Sequence, residues 1–371
     1  MIIGSKGLIR DINTTNVLET IIKEAPISRI DIAKKTGLTK GTITAIVQGL
    51  LDDRLIIETT LISKGLGRKS LLIELNSKAG YCINIAIENL YTKIMFNDLC
   101  GQKIHALSIN SPFSPEIINE VFSEIKKYYS QLNQTHAQLI GISLSTRTYM
   151  DEFLDLDTVR ENLSNLFKTH VFIHNHGHFA VLGENSYSAK SNNIVFIDNT
   201  YDISMGAIID NRPFLGANNR SCKLANTIIN ENGKRVPLKD VASLHIILDK
   251  VSSKIKEPLT VKDFLSLFKE YDFYAESLVN NFIEYTNIYI NNIISLYDPE
   301  IIVINCPIVS ENDEIFIRLK NSLKEYKSIL YRSMLKENAP LYGGAVYCNM
   351  NFLKVKNFIP SKCYYRDIKF V

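Results

Sequence analysis

Residues 28–44 read Ser28-Arg-Ile-Asp-Ile-Ala-Lys-Lys-Thr-Gly-Leu-Thr-Lys-Gly-Thr-Ile-Thr44, and this stretch decides how the N-terminal part of the chain folds. Ser28 carries the short hydroxyl that caps a helix N-terminus, and Ile30, Ile32 and Ala33 begin a short helix that Gly37 stops. Thr39 repeats the cap, and Ile43, Ile46, Val47, Leu50 and Leu51 follow at helical spacing. Helix, glycine-containing turn, helix is the layout whose second helix enters the DNA major groove. Upstream, Ile9, Ile12, Val17, Leu18, Ile21 and Ile22 mark a first helix over Leu8 to Glu24, which Pro26 ends.

Downstream, Leu55–Glu58 and Leu71–Leu75 read as short strands around Ser63-Lys-Gly-Leu-Gly-Arg-Lys69, a hairpin tip that carries the cations Lys64, Arg68 and Lys69. A basic wing beside a recognition helix can follow the phosphate backbone or reach into the minor groove. The exposed face of the third helix offers Thr39, Lys40, Thr42, Thr44 and Gln48. Hydroxyls and an amide read base edges, while a lysine and a helix N-terminus suit phosphate. Ser28 and Arg29 at the start of the second helix complete the candidate DNA-binding set. The alternatives are a three-helix packing module and a winged helix that binds a protein.

Charge supports the nucleic-acid reading. The first eighty residues hold 12 Lys/Arg against 8 Asp/Glu, and the remainder holds 30 against 31, so the net positive charge belongs to the N-terminal module. Across all 371 residues, 46% are hydrophobic and 22% charged, a globular balance that argues against disorder. No apolar run is long enough to cross a bilayer, and the first residues lack a signal-peptide layout. The six cysteines show no CxxC spacing, so the expectation is a cytoplasmic protein with reduced thiols.

From Tyr81 the pattern becomes α/β. Strands over Cys82–Ile87, Thr92–Asp98 and Lys103–Ile109, a helix over Pro115–Leu132 and a buried strand over Leu139–Leu144 make one unit. Val171–His174 then leads into a helix containing Ala180-Val-Leu-Gly-Glu184. Asn193–Asp198 and Met205–Arg212, helices over Leu238–Lys250, Thr260–Phe268 and Tyr274–Tyr297, and the strand Ile301–Asn305 repeat the plan. A duplicated meander-plus-helix unit predicts two lobes with a cleft.

At this point the chain resembles the ROK-family transcriptional repressors, which join a winged helix to a sugar-kinase-like body. The resemblance spans nearly the whole chain. It rests on Ser28-Arg29, Thr36-Gly-Leu-Thr-Lys-Gly-Thr-Ile43 and Gly67-Arg68-Lys69, then on Asn175 with Gly183-Glu184. Gly206-Ala-Ile-Ile-Asp-Asn-Arg212 with Gly216-Ala-Asn218, Asp298-Pro-Glu-Ile-Ile-Val303 and Gly343-Gly-Ala345 complete it. It implies a winged helix-turn-helix domain over 1–78 and a two-lobed actin-like ATPase body over 79–371. The lobes are then expected to meet near 175–190, with a C-terminal helix returning to the first lobe. It also implies a homodimer or dimer of dimers on double-stranded operator DNA, controlling carbohydrate-related genes through a sugar or anionic sugar-derivative effector.

The resemblance also sets a catalytic test, which this sequence fails. A kinase of this type needs glycine-rich phosphate turns and an aspartate base. Here Ala86-Ile-Glu88-Asn89 stands at the first turn and Thr200-Tyr-Asp-Ile-Ser204 at the second, while His176 replaces the aspartate of the family's Asn-Asp pair. The family's sugar and zinc segment becomes Lys223-Leu-Ala-Asn226, and Thr227 to Ala242 contains no cysteine. The expectation is therefore no kinase activity, no cofactor and no structural zinc. His174, His176 and His178 would bind a metal only if one strand aligned all three, and a helix start near Gly177 splays them. Arg147, Asn175, His176, Lys223 and Asn226 are the candidate ligand residues. Arg147, His176 and Lys223 suit an anionic sugar; a neutral sugar and an empty cleft are the alternatives. Lys354, Lys356, Lys362, Arg366 and Lys369 form a basic end that either stays solvated or touches DNA.

Overall fold

The protein is represented by a computed structural model that describes residues 6–60, 71–219 and 221–360. Lys64, Arg68 and Lys69 of the wing tip, and Lys362, Arg366 and Lys369 of the tail, lie outside the described residues. The chain divides into two compact units. One comprises Met1–Ser145, Glu152–Ile173 and Gly344–Val371, the other Thr146–Asp151 and His174–Gly343.

The first unit begins with α1 (Lys6–Glu24), β1 (Ile27–Ser28), α2 (Arg29–Thr36), α3 (Lys40–Asp52), β2 (Ile56–Thr60) and β3 (Leu71–Leu75). The two-stranded wing expected from sequence gains β1, giving a three-stranded sheet in the order β1-β3-β2. Ile27 is buried and pairs with Ile73, so its backbone groups are satisfied by the sheet rather than by water. Val17, Ile21, Ile32, Ile43, Val47 and Ile73 close the small core. Each such side chain stabilises the module by about 1.5–3 kcal/mol.

Then follow β4 (Tyr81–Ile87), β5 (Thr92–Asp98), β6 (Lys103–Ile109), α4 (Ile117–Thr135), β7 (Leu139–Thr146), α5 (Leu156–Phe167) and β8 (Val171–Asn175). The sheet order is β6-β5-β4-β7-β8, an antiparallel meander whose strand β4 runs parallel to β7. Between Leu144 and Val171, where the sequence pattern marks no element, the chain forms α5. Asp155 caps that helix by accepting the Thr158 N–H at 3.2 Å, and Val159, Leu163 and Phe167 give it one buried stripe.

The second unit contains α6 (His176–Glu184), β9 (Ile194–Asn199), β10 (Ile203–Ile209), β11 (Arg212–Pro213), β12 (Ile228–Glu231), β13 (Lys234–Pro237), α7 (Lys239–Ala242) and α8 (Leu244–Ile255). It continues through α9 (Val261–Lys269), α10 (Phe273–Tyr297), β14 (Ile301–Asn305), α11 (Pro307–Ser310), α12 (Asp313–Ser322) and β15 (Leu330–Arg332) to the start of α13 (Ala339–Leu353), which from Gly344 on belongs to the first unit. Its sheet, β11-β10-β9-β14-β15, repeats the first plan, with β9 antiparallel to β10 and parallel to β14. The single helix expected over Leu238–Lys250 is broken at Ser243. The Asn199 side chain takes both free backbone groups at the break, donating to Ala242 O at 2.9 Å and accepting from Leu244 N at 2.8 Å. The stretch Thr227–Ala242 holds the β12–β13 hairpin, turned by Asn232 and Gly233 at φ 49° and 81°.

One close backbone contact sets the second unit. Gly177 on α6 and Gly206 on β10 touch so closely that a Cβ on Gly206 would lie 1.9 Å from the Gly177 carbonyl oxygen. Beyond α13, Val355 and Phe358 are buried, and the Lys356 N–H donates to Glu19 Oε1 of α1 at 2.9 Å. Within the first unit, the segment after α13 thus returns to the winged helix.

Gly206→Ala is expected to lower stability by about 3 kcal/mol or more, the upper range of overpacking, because only backbone can yield. Gly49 in α3 has open space around its Cβ position, so Gly49→Ala should instead raise stability by about 0.5–1 kcal/mol. Thermal melts of the two variants against the parent chain test both signs.

Candidate nucleic-acid interface and a buried charge cluster

The helix-turn-helix is held by its caps. Ser28 Oγ accepts the Asp31 N–H at 3.2 Å, Thr39 Oγ1 accepts the Thr42 N–H at 3.2 Å, and Gly37 closes α2 at φ 70°. With Ile43, Ile46, Val47 and Leu50 turned inward, Lys40, Thr44 and Gln48 stand exposed four residues apart along the opposite face of α3. Thr39 is exposed at the helix start and Thr42 is half-buried, its hydroxyl 2.9 Å from that of Thr39. Thr44 Oγ1 donates to Lys40 O, and Gln48 Nε2 donates to Asp52 Oδ1 at 2.9 Å.

Two expected DNA contacts have other partners. The Ser28 hydroxyl donates to Asp31 Oδ2 besides capping α2, and that bond is the first cause holding the Asp31 carboxyl below its ordinary value. Arg29 Nη2 forms an ion pair with Glu58 at 2.8 Å, both side chains about a third exposed. Such surface pairs contribute roughly 0–1 kcal/mol, and this one fixes α2 against the wing strand β2.

The second unit holds an unusual cluster. Arg147 follows β7 directly and is only 2% exposed. Its Nη1 donates to Asp198 Oδ2 at 2.7 Å and to Asp202 Oδ1 at 3.0 Å, and its Nη2 donates to Thr200 Oγ1 at 2.7 Å. Asp198 is fully buried and also accepts from Thr200 Oγ1 at 2.8 Å and from Asn305 Nδ2 at 2.6 Å, with His176 Nε2 3.7 Å from Oδ1. Burial acts on both carboxyls in the direction of protonation. At Asp198 the charge of Arg147, followed by that of His176, outweighs it and holds the carboxyl well below the usual range. At Asp202 burial wins over Arg147, and the neighbouring Asp198 charge adds to it, so this carboxyl is pushed up. One guanidinium therefore keeps one carboxylate fully ionised while the second titrates higher.

This corrects the basic pocket expected around Arg147. Its charge is offset by two acids and it presents no free donor fork to an anionic ligand. Asn175 caps α6, accepting the Gly177 N–H at 3.0 Å and donating to Thr148 Oγ1 at 2.6 Å. His176 is buried at the first position of α6, whereas Lys223 and Asn226 are exposed on either side of the buried Leu224 and Ala225. His174 ends up on β8 and His178 on α6, with their rings 6.2 Å apart. His178 contacts Ser221 Oγ at 3.2 Å, and burial pushes it down to about 4. Among the described residues no three His, Cys, Asp or Glu side chains are grouped to hold a metal ion. Glu88 sits buried in the turn after β4. Sequence reasoning named Arg147 but missed Asp198, Thr200 and Asn305. The available signal was the acid-bearing Thr200-Tyr-Asp202 turn, which demands a buried cation.

A capped helix-turn-helix with a wing, followed by two units of the same meander-plus-helix plan, defines a DNA-reading module on a sugar-kinase-like body. The profile of the ROK family matches residues 114–342, and that of winged helix-turn-helix DNA-binding domains matches residues 10–57. The chain belongs to the ROK family. It is 26% identical over 386 residues to the xylose repressor of Bacillus spizizenii, covering 96% of this chain and 99% of that protein. Among solved structures, a ROK family transcriptional regulator homologous to the E. coli MLC protein superposes with a TM-score of 0.77 at 20% identity, covering 93% of this chain and 97% of that one. The ROK hexokinase of Thermus thermophilus superposes with a TM-score of 0.61 at 17% identity, covering 71% and 96%. No described helix is long and apolar enough to cross a membrane.

Arg147→Met should cost about 3–5 kcal/mol, because it leaves Asp198 buried without its principal counter-charge. Adding Asp198→Asn should recover part of that loss, which a double-mutant cycle in denaturant measures. His178 stays neutral when folded, with a value near 4 against 6.5 for the free side chain, so the unfolded state binds the extra proton across that interval. Its contribution is present above pH 6.5 and fades on acidification towards 4. The stability of the parent chain relative to His178→Gln should therefore fall by about 1–2 kcal/mol between pH 7 and pH 5.

Proposed function

We propose that this protein is a sugar-responsive transcriptional repressor that binds a two-fold operator as a homodimer or dimer of dimers and has no kinase activity. The observation that carries the reading is the capped helix α3, which presents Lys40, Thr44 and Gln48 outward from a ROK-family chain. Thr39, Thr42 and the wing cations Lys64, Arg68 and Lys69 complete the DNA-reading set. One such helix reads one half-site, so two copies on a palindrome double the contact and fix the spacing.

The absence of kinase activity is supported by the Arg147–Asp198–Asp202 cluster. At the turn following β9, where kinases of the resembling family bring backbone N–H groups to phosphate, this chain carries two carboxylates and the Thr200 side chain. The ionised Asp198 disfavours phosphate there, and Arg147 is already engaged by the two acids in place of a ligand. The same cluster favours an uncharged sugar over a phosphorylated or acidic one, as does the xylose named in the repressor of Bacillus spizizenii. His176, Lys223, Asn226 and Asn175 are the proposed groups near the sugar. The sugar acts only to the extent that it binds one arrangement of the protein better than the other.

Fluorescence anisotropy against the gene's own upstream DNA and a scrambled duplex, at two salt concentrations, tests the reading. The upstream DNA should bind more tightly by about 10³-fold or more, with affinity falling steeply as salt rises. Lys40→Ala should weaken binding to both duplexes and reduce the salt slope by about one. Neutral pentoses or hexoses should weaken the specific complex, and no phosphoryl transfer from ATP to them should be measurable. Equal, salt-insensitive binding to both duplexes would remove the DNA role, and sugar phosphorylation would overturn the non-catalytic assignment.

A further inference from the structure

Within the first unit, a cavity of about 300 Å³ lies where the winged helix meets the body. Ile21 and Ile22 of α1, Pro26 and Ile57 form its apolar wall on the head side. Cys100 and Gln102 from the β5–β6 turn, with Ile359 from the segment after α13, close it from the body. This is the lower end of the size range of small-molecule sites, and such sites concentrate at junctions between modules.

Its charge is one-sided. Two carboxylates line it, Asp98 at the end of β5 and Glu74 on β3, and no lysine, arginine or histidine does so among the described residues. Asp98 is 8% exposed. Its Oδ1 does local work, accepting the N–H groups of Cys100 at 2.9 Å and Gln102 at 2.7 Å and so shaping the turn. Its Oδ2 has no hydrogen-bond partner among the described residues, and neither Asp98 nor Glu74 has an ion-pair partner there. Burial pushes the Asp98 carboxyl up to about 6, as expected of an acid enclosed by apolar groups without a cation beside it.

We infer that this cavity is a second effector site, which takes a small organic cation: a primary ammonium, placed against Asp98 Oδ2 and Glu74, carried on an apolar body that fills the isoleucine wall. A divalent metal ion fits worse. It demands six or more oxygen ligands, and isoleucine and proline side chains supply none of them. An ammonium needs only a few acceptors, and its hydrocarbon portion gains by leaving water. The site is separate from the sugar response proposed above. An occupant would touch α1 and the wing strands on one side and the β5–β6 turn on the other, bridging the DNA-reading head and the body.

The test uses the full-length protein and 2-phenylethylamine as the probe, with 2-phenylethanol and 3-phenylpropanoate as neutral and anionic counterparts. Binding is read by ligand-observed NMR and calorimetry at pH 7.5. Saturable binding of the amine at millimolar concentration or tighter, well ahead of the alcohol and the acid, is the expected result. Asp98→Asn keeps an Oδ1 acceptor for the turn and should weaken the amine by about ten- to a hundredfold while leaving the alcohol unchanged. Glu74→Gln should weaken the amine several-fold, which keeps the test available if Asp98→Asn melts early. Ala25→Leu, which adds bulk to the lining just past the end of α1, should reduce binding of amine and alcohol alike. Absence of amine binding, equal affinity for amine and alcohol, or amine binding unaffected by both carboxamide variants would overturn the proposal.

Discussion

A single guanidinium, Arg147, is enclosed in the second unit between two carboxylates, and the arrangement around the end of β9 depends on it. Removing a charge from water costs several kcal/mol even after relaxation, so a buried arginine persists only where its donors are met. Here Asp198, Asp202 and Thr200 meet them, while Asn305 from β14 takes the other oxygen of Asp198. The cluster thereby joins the segment after β7, the turn between β9 and β10, and the end of β14. A turn built to hold phosphate would have left its backbone N–H groups open. This one is closed by side chains that satisfy one another.

The backbone around the cluster is equally constrained. Gly177 and Gly206 let α6 lie on β10 without a side chain between them, which sets the depth at which His176 and His178 enter the core. Glu184, fully buried at the other end of α6, accepts from Ser333 Oγ and from Leu335 N. Burial pushes its carboxyl up and those hydrogen bonds oppose the shift. Both ends of α6 are therefore anchored by polar contacts, and its middle is anchored by packing. Residues on such a helix can hold a defined geometry toward a ligand, as a loop residue seldom can.

Different kinds of residue were legible to different degrees. Ser28, Gly37 and Thr39 act on their own next few residues, so the helix-turn-helix could be read almost to its boundaries. Alternating and continuous apolar runs revealed the two meanders for the same reason. The misses have a common cause. Helix α5 shows only Val159, Leu163 and Phe167 as an apolar stripe, too little to announce itself before packing completes it. The break at Ser243 depends on Asn199, more than forty residues earlier in the chain. The partners of Arg147 are not legible locally because its acids lie fifty-one and fifty-five residues away.

The amino-acid sequence by itself determined the kind of protein this is: a basic, capped, winged DNA-reading module followed by a duplicated α/β body whose phosphate turns have lost their glycines. Caps, turns and periodicity act over a few residues, and a resemblance in motifs needs no coordinates. Only the tertiary structure decided which charges remain available. It paired Arg29 with Glu58, enclosed Arg147 between Asp198 and Asp202, left Lys40 exposed on α3, and placed Asp98 beside a cavity lined by α1. The physical reason is that a side chain's charge is written in the sequence, whereas its solvation and its partners are set by segments the chain brings together only on folding.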